Sequence, residues 1–517
     1  MKLPTAGTWI RTLLAPAPRP NRAARRAGPR VGPRVGGAGR SPRARGIAQD
    51  AASHSADDAA QLTQGVSRFA AEASQFARDA SRLAPTVSQF ALGASRFARE
   101  TSRFGLVYSG LYCLTNSQIV PSLLGGGLGH RRAAVDAWSK VWGIRPVRSW
   151  VASRVFRTEV DDRFEGGDNR YAWVGQACWL GAAAAVTSVW SALDRRQTGY
   201  DAARPWIELA VRLCLAGQMF YYGAAKTIPL QFQTPLSRLV EPLGNLSPMD
   251  LLWAQSGYST VYQILLGCAE ISGGLLLLQP RTASLGALLS ALELAQVFIL
   301  NMTFDVPVKL HSFHLLLLSL VLLAPESARL ARSLLADQEV PLAPRPRLLH
   351  NERANRIAEA AQVAAGLWLL GAQLRNNWGF WKKFGGGREK PALYGIWHVD
   401  EFSVDGEPRL PLTTDPQRWR HVMFDSGDLV GIQRMDDSLD TCLAAHAPDG
   451  TSLTLLKMTD PEWKATVSVE RPADDQLTLD GDVDGAHVRV RLHRLDLRRF
   501  PLIGRGFHWV QESSSLR

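Results

Sequence analysis

Hydrophobic residues in this chain gather into runs near twenty residues long up to about residue 385, where the pattern changes to short alternation. Seven runs have the length of a membrane-crossing helix: about 106–124, 172–193, 205–225, 259–279, 283–303, 311–330 and 356–374. The first is the most polar, with Asn116, Gln118 and Pro121. The fourth and fifth, Val261 to Leu278 and Ala283 to Leu300, are the most apolar. Several such runs in one chain predict a multi-pass α-helical membrane bundle of six to seven spans, because backbone polar groups in lipid must be satisfied within the helix. After Gly385–Arg388 come eight short alternating runs at 393–404, 417–424, 428–434, 439–446, 451–458, 462–470, 475–482 and 485–494. Turn residues such as Asp449–Gly450 and Asp484–Gly485 separate most of them. They predict a small antiparallel all-β barrel or sandwich over 388–511, whose interior either holds an apolar ligand or is filled with side chains as a docking module, the strand length favouring the second.

Composition changes the reading of the N-terminal part. The net charge of +12 comes from the tail: residues 1–49 hold 11 Lys/Arg and no Asp or Glu, and 12 − 11 leaves +1 for the rest. The basic balance therefore gives no reason to expect nucleic-acid binding. An Arg-, Ala-, Pro- and Gly-rich stretch buries no core, so 1–60 is expected to be a disordered basic tail. Its acid-poor start is similar to an organellar transit peptide. Between 61 and 105 a seven-residue repeat runs through Ser67, Ser74, Ser81, Ser88, Ser95 and Ser102, each followed two positions on by Phe or Leu. That spacing predicts an amphipathic or coiled-coil segment, interrupted at Pro85, or a duplicated segment with no partner. Five cysteines, four in apolar runs and none in a CxxC pattern, exclude a disulfide-framed scaffold and a zinc or thioredoxin-type motif.

The basic loops orient the spans. Arg195, Arg196, Arg204, Arg281 and the Arg-rich 329–356 stretch fall on one side if the spans of 106–375 alternate. That side is expected to be cytoplasmic and to hold the N-terminus, leaving the β domain outside. Ionisable groups within spans need a reason. Arg212, Glu270 and Glu293 sit well inside their runs. One arginine neutralises one carboxylate, so a second buried carboxylate is available to carry a proton. These three form the candidate catalytic, proton- and charge-handling site, the alternative being a structural Arg–Glu pair beside a permanently protonated Glu. A second polar cluster near the outer ends comprises Lys226, Asp305, Lys309, His311 and His314, with Gln231 and Asn301 nearby. It is the candidate cofactor-binding group: the i, i+3 pair His311 and His314 is suited to ligating a metal or haem, to hydrogen-bonding a quinone carbonyl, or to ordinary capping, and no metal is assigned.

The segments Tyr222–Phe232, Ser247–Trp253, Gly267–Glu270, Arg281–Leu288 and Asn301–His311 resemble the DoxX-like family of bacterial membrane proteins. The resemblance covers about 205–330 and extends weakly through Gly167–Tyr171 and Trp190–Arg196. It implies a four-helix core over 205–330, a place in the bacterial inner (cytoplasmic) membrane, and an accessory role in a quinone-linked redox system beside an oxidoreductase subunit. No family catalytic motif carries over. Tyr394–Val399, with its Gly-x-Trp, resembles the entry of lipocalin-like barrels, with Arg505–Trp509 as a closing plug. The alternative function is a membrane-anchored lipid- or hydrophobe-binding or assembly protein working through that barrel.

Overall fold

The computed structural model of the chain describes residues 71, 75, 95–116, 118–123, 144–160, 167–193, 200–335, 347–447 and 450–510. The basic tail expected over 1–60, and the heptad segment up to residue 94 apart from two isolated positions, lie outside the described residues. The last part of the heptad segment enters the first described helix, α1 (Ser95–Thr115).

Among the described residues ten further α-helices follow α1 before the β domain. They are α2 (Ile119–Leu123), α3 (Ile144–Arg154), α4 (Arg170–Leu193), α5 (Tyr200–Thr227) and α6 (Pro248–Tyr258). Then come α7 (Thr260–Leu278), α8 (Ala283–Thr303), α9 (Lys309–Leu323), α10 (Ser327–Leu335) and α11 (Glu352–Phe384). Among the described residues five helical stretches are long and apolar enough to cross a membrane: Arg170–Leu193, Thr260–Leu278, Ala283–Thr303, Lys309–Ser333 and Glu352–Phe384.

The run expected at 106–124 is two helices. Asn116 turns the chain between them, its side chain accepting from the Gln118 N–H at 2.8 Å. The run expected at 205–225 is not among the five. Helix α5 is polar because protein surrounds it: Val211, Leu215, Ala216, Met219, Phe220 and Ala224 are all buried. It packs against α1, α2, α7, α9 and α11.

Glycine sets the closest crossing. A Cβ at Gly267 of α7 would stand 2.4 Å from the Thr227 backbone N and 2.5 Å from the Gly223 carbonyl O of α5. No side chain fits there, so the two backbones touch. The loop before α4 ties two helix starts together. Asn169 Oδ1 accepts from Ala172 N at 2.9 Å, while Asp168 accepts from Lys309 N at 2.7 Å and Leu310 N at 3.0 Å. Both are capping bonds to otherwise unpaired N–H groups, so α4 and α9 start at the same end.

The β domain is a closed barrel. Strands β1 (Gly395–Val404), β3 (Trp419–Ser426), β4 (Leu429–Arg434), β5 (Leu439–His446), β6 (Ser452–Lys457), β7 (Lys464–Ala473), β8 (Gln476–Val483) and β9 (Ala486–Arg494) pair antiparallel in sequence order. The β1–β9 pairing closes the ring, and the two-residue β2 (Glu407–Pro408) extends the β1 hairpin. Asp484 and Gly485 both have positive φ, 55° and 81°, which matches the twist of a two-residue hairpin turn. Alternate residues of each strand fill the interior, from Trp397 and Phe402 through Phe424 and Leu455 to Leu492. The expected turn residue Asp449 lies outside the described residues.

The plug expected at Arg505–Trp509 is not formed: Phe507 and Trp509 are 78% and 91% exposed. The interior is already full, and the tail instead packs outside it through Leu497 and Phe500. These two side chains join Ile396 and Met423, on the outer faces of β1 and β3, and Leu236, Leu239 and Val240 from the loop between α5 and α6. That contact docks the barrel on the helices. Leu236 N donates to Asp425 Oδ2 at 3.3 Å, and Gln433 Nε2 donates to the Val240 carbonyl at 3.1 Å. Arg388, just past α11, donates to the Asp425 carboxylate at 2.6 Å.

Candidate functional site

Helices α5 and α7 run side by side, and their touching backbones bring two buried charges together. Lys226 in the last turn of α5 donates to both oxygens of Glu270, each at 2.8 Å. The ammonium also lies 5.6 Å from the centre of the Tyr222 ring. Both side chains are more than nine-tenths buried. Glu293 of α8 is within electrostatic range of this pair. An ideal Cβ on Gly273 would lie 3.5 Å from Glu293 Oε2 and 2.8 Å from Ser290 Oγ, so these groups stand against α7. Neither Glu293 oxygen, nor Ser290 Oγ, has a hydrogen-bond partner among the described residues.

Arg212 is not part of this group. It lies fourteen residues before Lys226 on α5, about 21 Å along the axis. Its guanidinium donates to the Leu278 carbonyl at 3.2 Å and to Gln362 Oε1 at 2.7 Å. There it lines a small cleft, about 20 Å³ in volume, with Glu208, Pro280 and Glu359. The expectation that Arg212 neutralises Glu270 or Glu293 is corrected: α7 is antiparallel to α5, so Arg212 meets the end of α7 and Lys226 meets its middle. The charge count survives the exchange, because one buried lysine still faces two buried carboxylates.

The second expected cluster separates into three places. Lys226 belongs with Glu270. Asp305 and Lys309 pair at 2.7 Å at the start of α9, where Asp305 is 84% exposed and has a positive φ of 52°. His311 and His314 point inward from α9 into a network that the charged residues alone do not reveal. The His314 Nδ1–H donates to the Leu310 carbonyl at 2.5 Å, which leaves Nε2 to accept from the Tyr108 hydroxyl at 2.6 Å. The Tyr108 oxygen is also 3.3 Å from Gln176 Oε1. The His314 ring stacks on Tyr112 with centroids 4.0 Å apart.

His311 stands between Tyr112 and Gln218. Its Nε2 is 3.3 Å from Gln218 Oε1, and its Nδ1 is 3.0 Å from the Tyr112 hydroxyl. Because the amide oxygen only accepts, Nε2 carries the proton and Nδ1 accepts from Tyr112. Gln218 Nε2 donates to Ser122 Oγ at 2.7 Å, and the Tyr222 hydroxyl donates to Gln118 Oε1 at 3.4 Å. Two hydrogen-bonded groups thus lie side by side, Gln176–Tyr108–His314 and Tyr112–His311–Gln218–Ser122, joined by the stacked rings of His314 and Tyr112 rather than by a hydrogen bond. A readable signal existed for part of it: Gln218, Tyr222 and Lys226 are four apart and share one face of α5.

The residues expected to take a quinone are not gathered in one place. Their donors are engaged within the protein: Lys226 with Glu270, His311 with Gln218 and His314 with Leu310. Asp305 and Lys309 stand apart at the exposed helix start. What the arrangement can do chemically is hold a proton. It has one carboxylate beyond what its lysine neutralises, beside short hydrogen-bonded groups of tyrosine, histidine and glutamine.

The chain is 35% identical over 122 residues to "Uncharacterized protein YwoB" of Bacillus subtilis (strain 168), a match spanning 24% of this chain and 78% of that protein. No family model matches the chain, and no solved structure matches it.

Proposed function

We propose that this chain, which belongs to the family of the Bacillus subtilis protein YwoB, is an integral membrane protein that holds and exchanges protons within its helical part. The carrying observation is the buried trio Lys226, Glu270 and Glu293, set beside the Tyr–His–Gln network among helices long and apolar enough to cross a membrane. Two carboxylates and one ammonium in a low-dielectric site leave one charge that a proton removes. Glu293 takes that proton, because Lys226 grips both oxygens of Glu270 and no donor among the described residues holds Glu293. Tyr222, Gln118, Gln218, His311 and Tyr112 connect the trio to the start of α9.

In this reading the helices form a multi-pass bundle in a bacterial inner membrane, with the N-terminus cytoplasmic and the barrel outside. The protein is an accessory subunit of a quinone-linked redox system of DoxX-like type. The partner oxidoreductase holds the quinone and supplies the electrons, and this chain supplies or removes the accompanying protons.

A second reading makes the barrel the working part. Its filled interior supports a docking and assembly module and gives no support to a carrier that encloses a hydrophobe. One experiment separates the two: purification of the full chain in mild detergent from its own membranes, with visible spectra before and after reduction. The redox reading expects a stoichiometric oxidoreductase subunit with a reducible chromophore, lost on disrupting the helices. A preparation with no such subunit, no chromophore and no extractable quinone contradicts it.

A further inference from the structure

The segment after the barrel is built differently from the rest of the β domain. From Leu497 to Val510 it contains Arg498, Arg499 and Arg505 and no acidic residue. A 3-10 turn (Leu497–Arg499) leads into the short helix α12 (Pro501–Gly504). Leu497 and Phe500 anchor it at the junction between barrel and helices. Beyond that anchor its apolar side chains turn outward. Leu502, Ile503, Phe507, Trp509 and Val510 are all exposed, and Phe507 meets Trp509 edge to face at 5.2 Å. Large apolar side chains exposed together in a short basic stretch need a partner surface.

The place of this segment identifies the partner. The junction lies where α11 ends, and that end carries an aromatic and basic belt. Trp378 and Trp381 stack at 5.0 Å, Lys382 lies over Trp378, and Lys383 lies over Phe384. Aromatic rings with lysines mark the level of lipid headgroups on a spanning helix. Four residues after Phe384, Arg388 bonds to Asp425 of the barrel. The C-terminal segment therefore leaves the barrel at the level where a bilayer surface would lie.

We propose that residues 501–510 insert into an anionic lipid surface, with Leu502, Ile503, Phe507, Trp509 and Val510 among the acyl chains and Arg505, with Arg498 and Arg499 just before the insertion, at the phosphates. This rests on the membrane reading above. The segment then holds the barrel against the bilayer beside α11 and fixes its orientation for a partner subunit. Three arginines near an anionic surface strengthen partitioning by about a hundredfold over a neutral surface of equal apolar depth.

The test uses the full chain in vesicles of phosphatidylcholine alone, in vesicles containing phosphatidylglycerol, and in detergent. Trypsin cleavage after Arg505 is measured by mass spectrometry relative to cleavage after Arg409 on the same barrel, which cancels orientation. The expected result is at least tenfold slower relative cleavage at Arg505 in anionic vesicles than in detergent. Cleavage should be intermediate in neutral vesicles, and the protection should be lost in the double variant Phe507→Ser/Trp509→Ser. Equal cleavage in anionic vesicles and detergent, for a chain that floats with the vesicles, overturns the proposal alone. Equal protection in all three conditions also overturns it and assigns the segment to a protein contact. A chain that does not float with vesicles overturns the membrane reading and this proposal together.

Discussion

Lys226 donates to both carboxylate oxygens of Glu270, 44 residues further along the chain, and both side chains are closed off from solvent. Removing one partner strands the other as a lone buried charge. Lys226→Met and Glu270→Gln should therefore each destabilise by about 3 kcal/mol or more, and the double variant should recover part of the loss. Reversible unfolding in mixed micelles, run as a double-mutant cycle, gives the coupling. Additive losses would mean that the two groups do not act as a pair.

The pair depends on the contact at Gly267. An added methyl there would meet the Thr227 N at 2.4 Å, so Gly267→Ala must push α5 and α7 apart. A loss of about 1–3 kcal/mol is expected. Gly110→Ala on α1 is the control, because nothing lies within 4 Å of the new carbon. It should leave the melting temperature unchanged or raise it slightly.

Asp168 accepts two N–H groups at the start of α9, and its carboxylate favours that positive helix end. Asp168→Ala should remove about 1–2 kcal/mol. Amide hydrogen exchange should rise locally at Lys309–Ser312 before the rest of the helix responds. A uniform rise along α9 would argue against a capping role.

Burial pushes the His421 imidazole on β3 down to about 4, against 6.5 for a free histidine, while its ring hydrogen-bonds to Gln433. A histidine held neutral in the fold takes up its proton in the unfolded chain first. Its contribution is thus intact above pH 6.5 and is lost as the pH falls from 6.5 towards 4, by about 3 kcal/mol over that window. Thermal unfolding of the full chain, followed in the β-sheet infrared band, should show this slope, and His421→Gln should flatten it. Its nearest titratable neighbours, His398, Arg420 and Asp437, are kept in place.

The barrel was legible because a period of two bounded by turn residues leaves little freedom. The eight expected runs coincide with β1 and β3–β9 to within about three residues at their ends. Five of the seven long apolar runs were equally plain. The polar helix α5 departs from the apolar pattern because neighbouring helices cover it. The charge imbalance could be counted from the sequence, but its geometry could not. Ending the third run at 225 left Lys226 outside, whereas α5 continues to Thr227 and places that lysine over Glu270. Tyr108, Tyr112, Gln118, Ser122 and Gln176 carry no charge and come from elements far apart in the chain. Only the packing of α1, α2, α4, α5 and α9 shows that Tyr108 and Tyr112 meet His314 and His311, with Gln176, Gln118 and Ser122 joined to them through Tyr108 and Gln218. The closing role expected of Arg505–Trp509 is not met: the strand side chains pack against one another inside the barrel, and Phe507 and Trp509 stay exposed outside it.

The central claim is that Glu293 gains and loses a proton inside the helical part. Infrared difference spectroscopy of the full chain in lipid films, stepped between acid and alkaline pH, reads buried carboxyl groups directly. The expected result is a protonated-carboxyl carbonyl band that titrates in the wild type, is absent from Glu293→Gln and remains in a surface control such as Asp305→Asn. A titrating band that survives Glu293→Gln unchanged, or no buried carboxyl band at any pH, would contradict it.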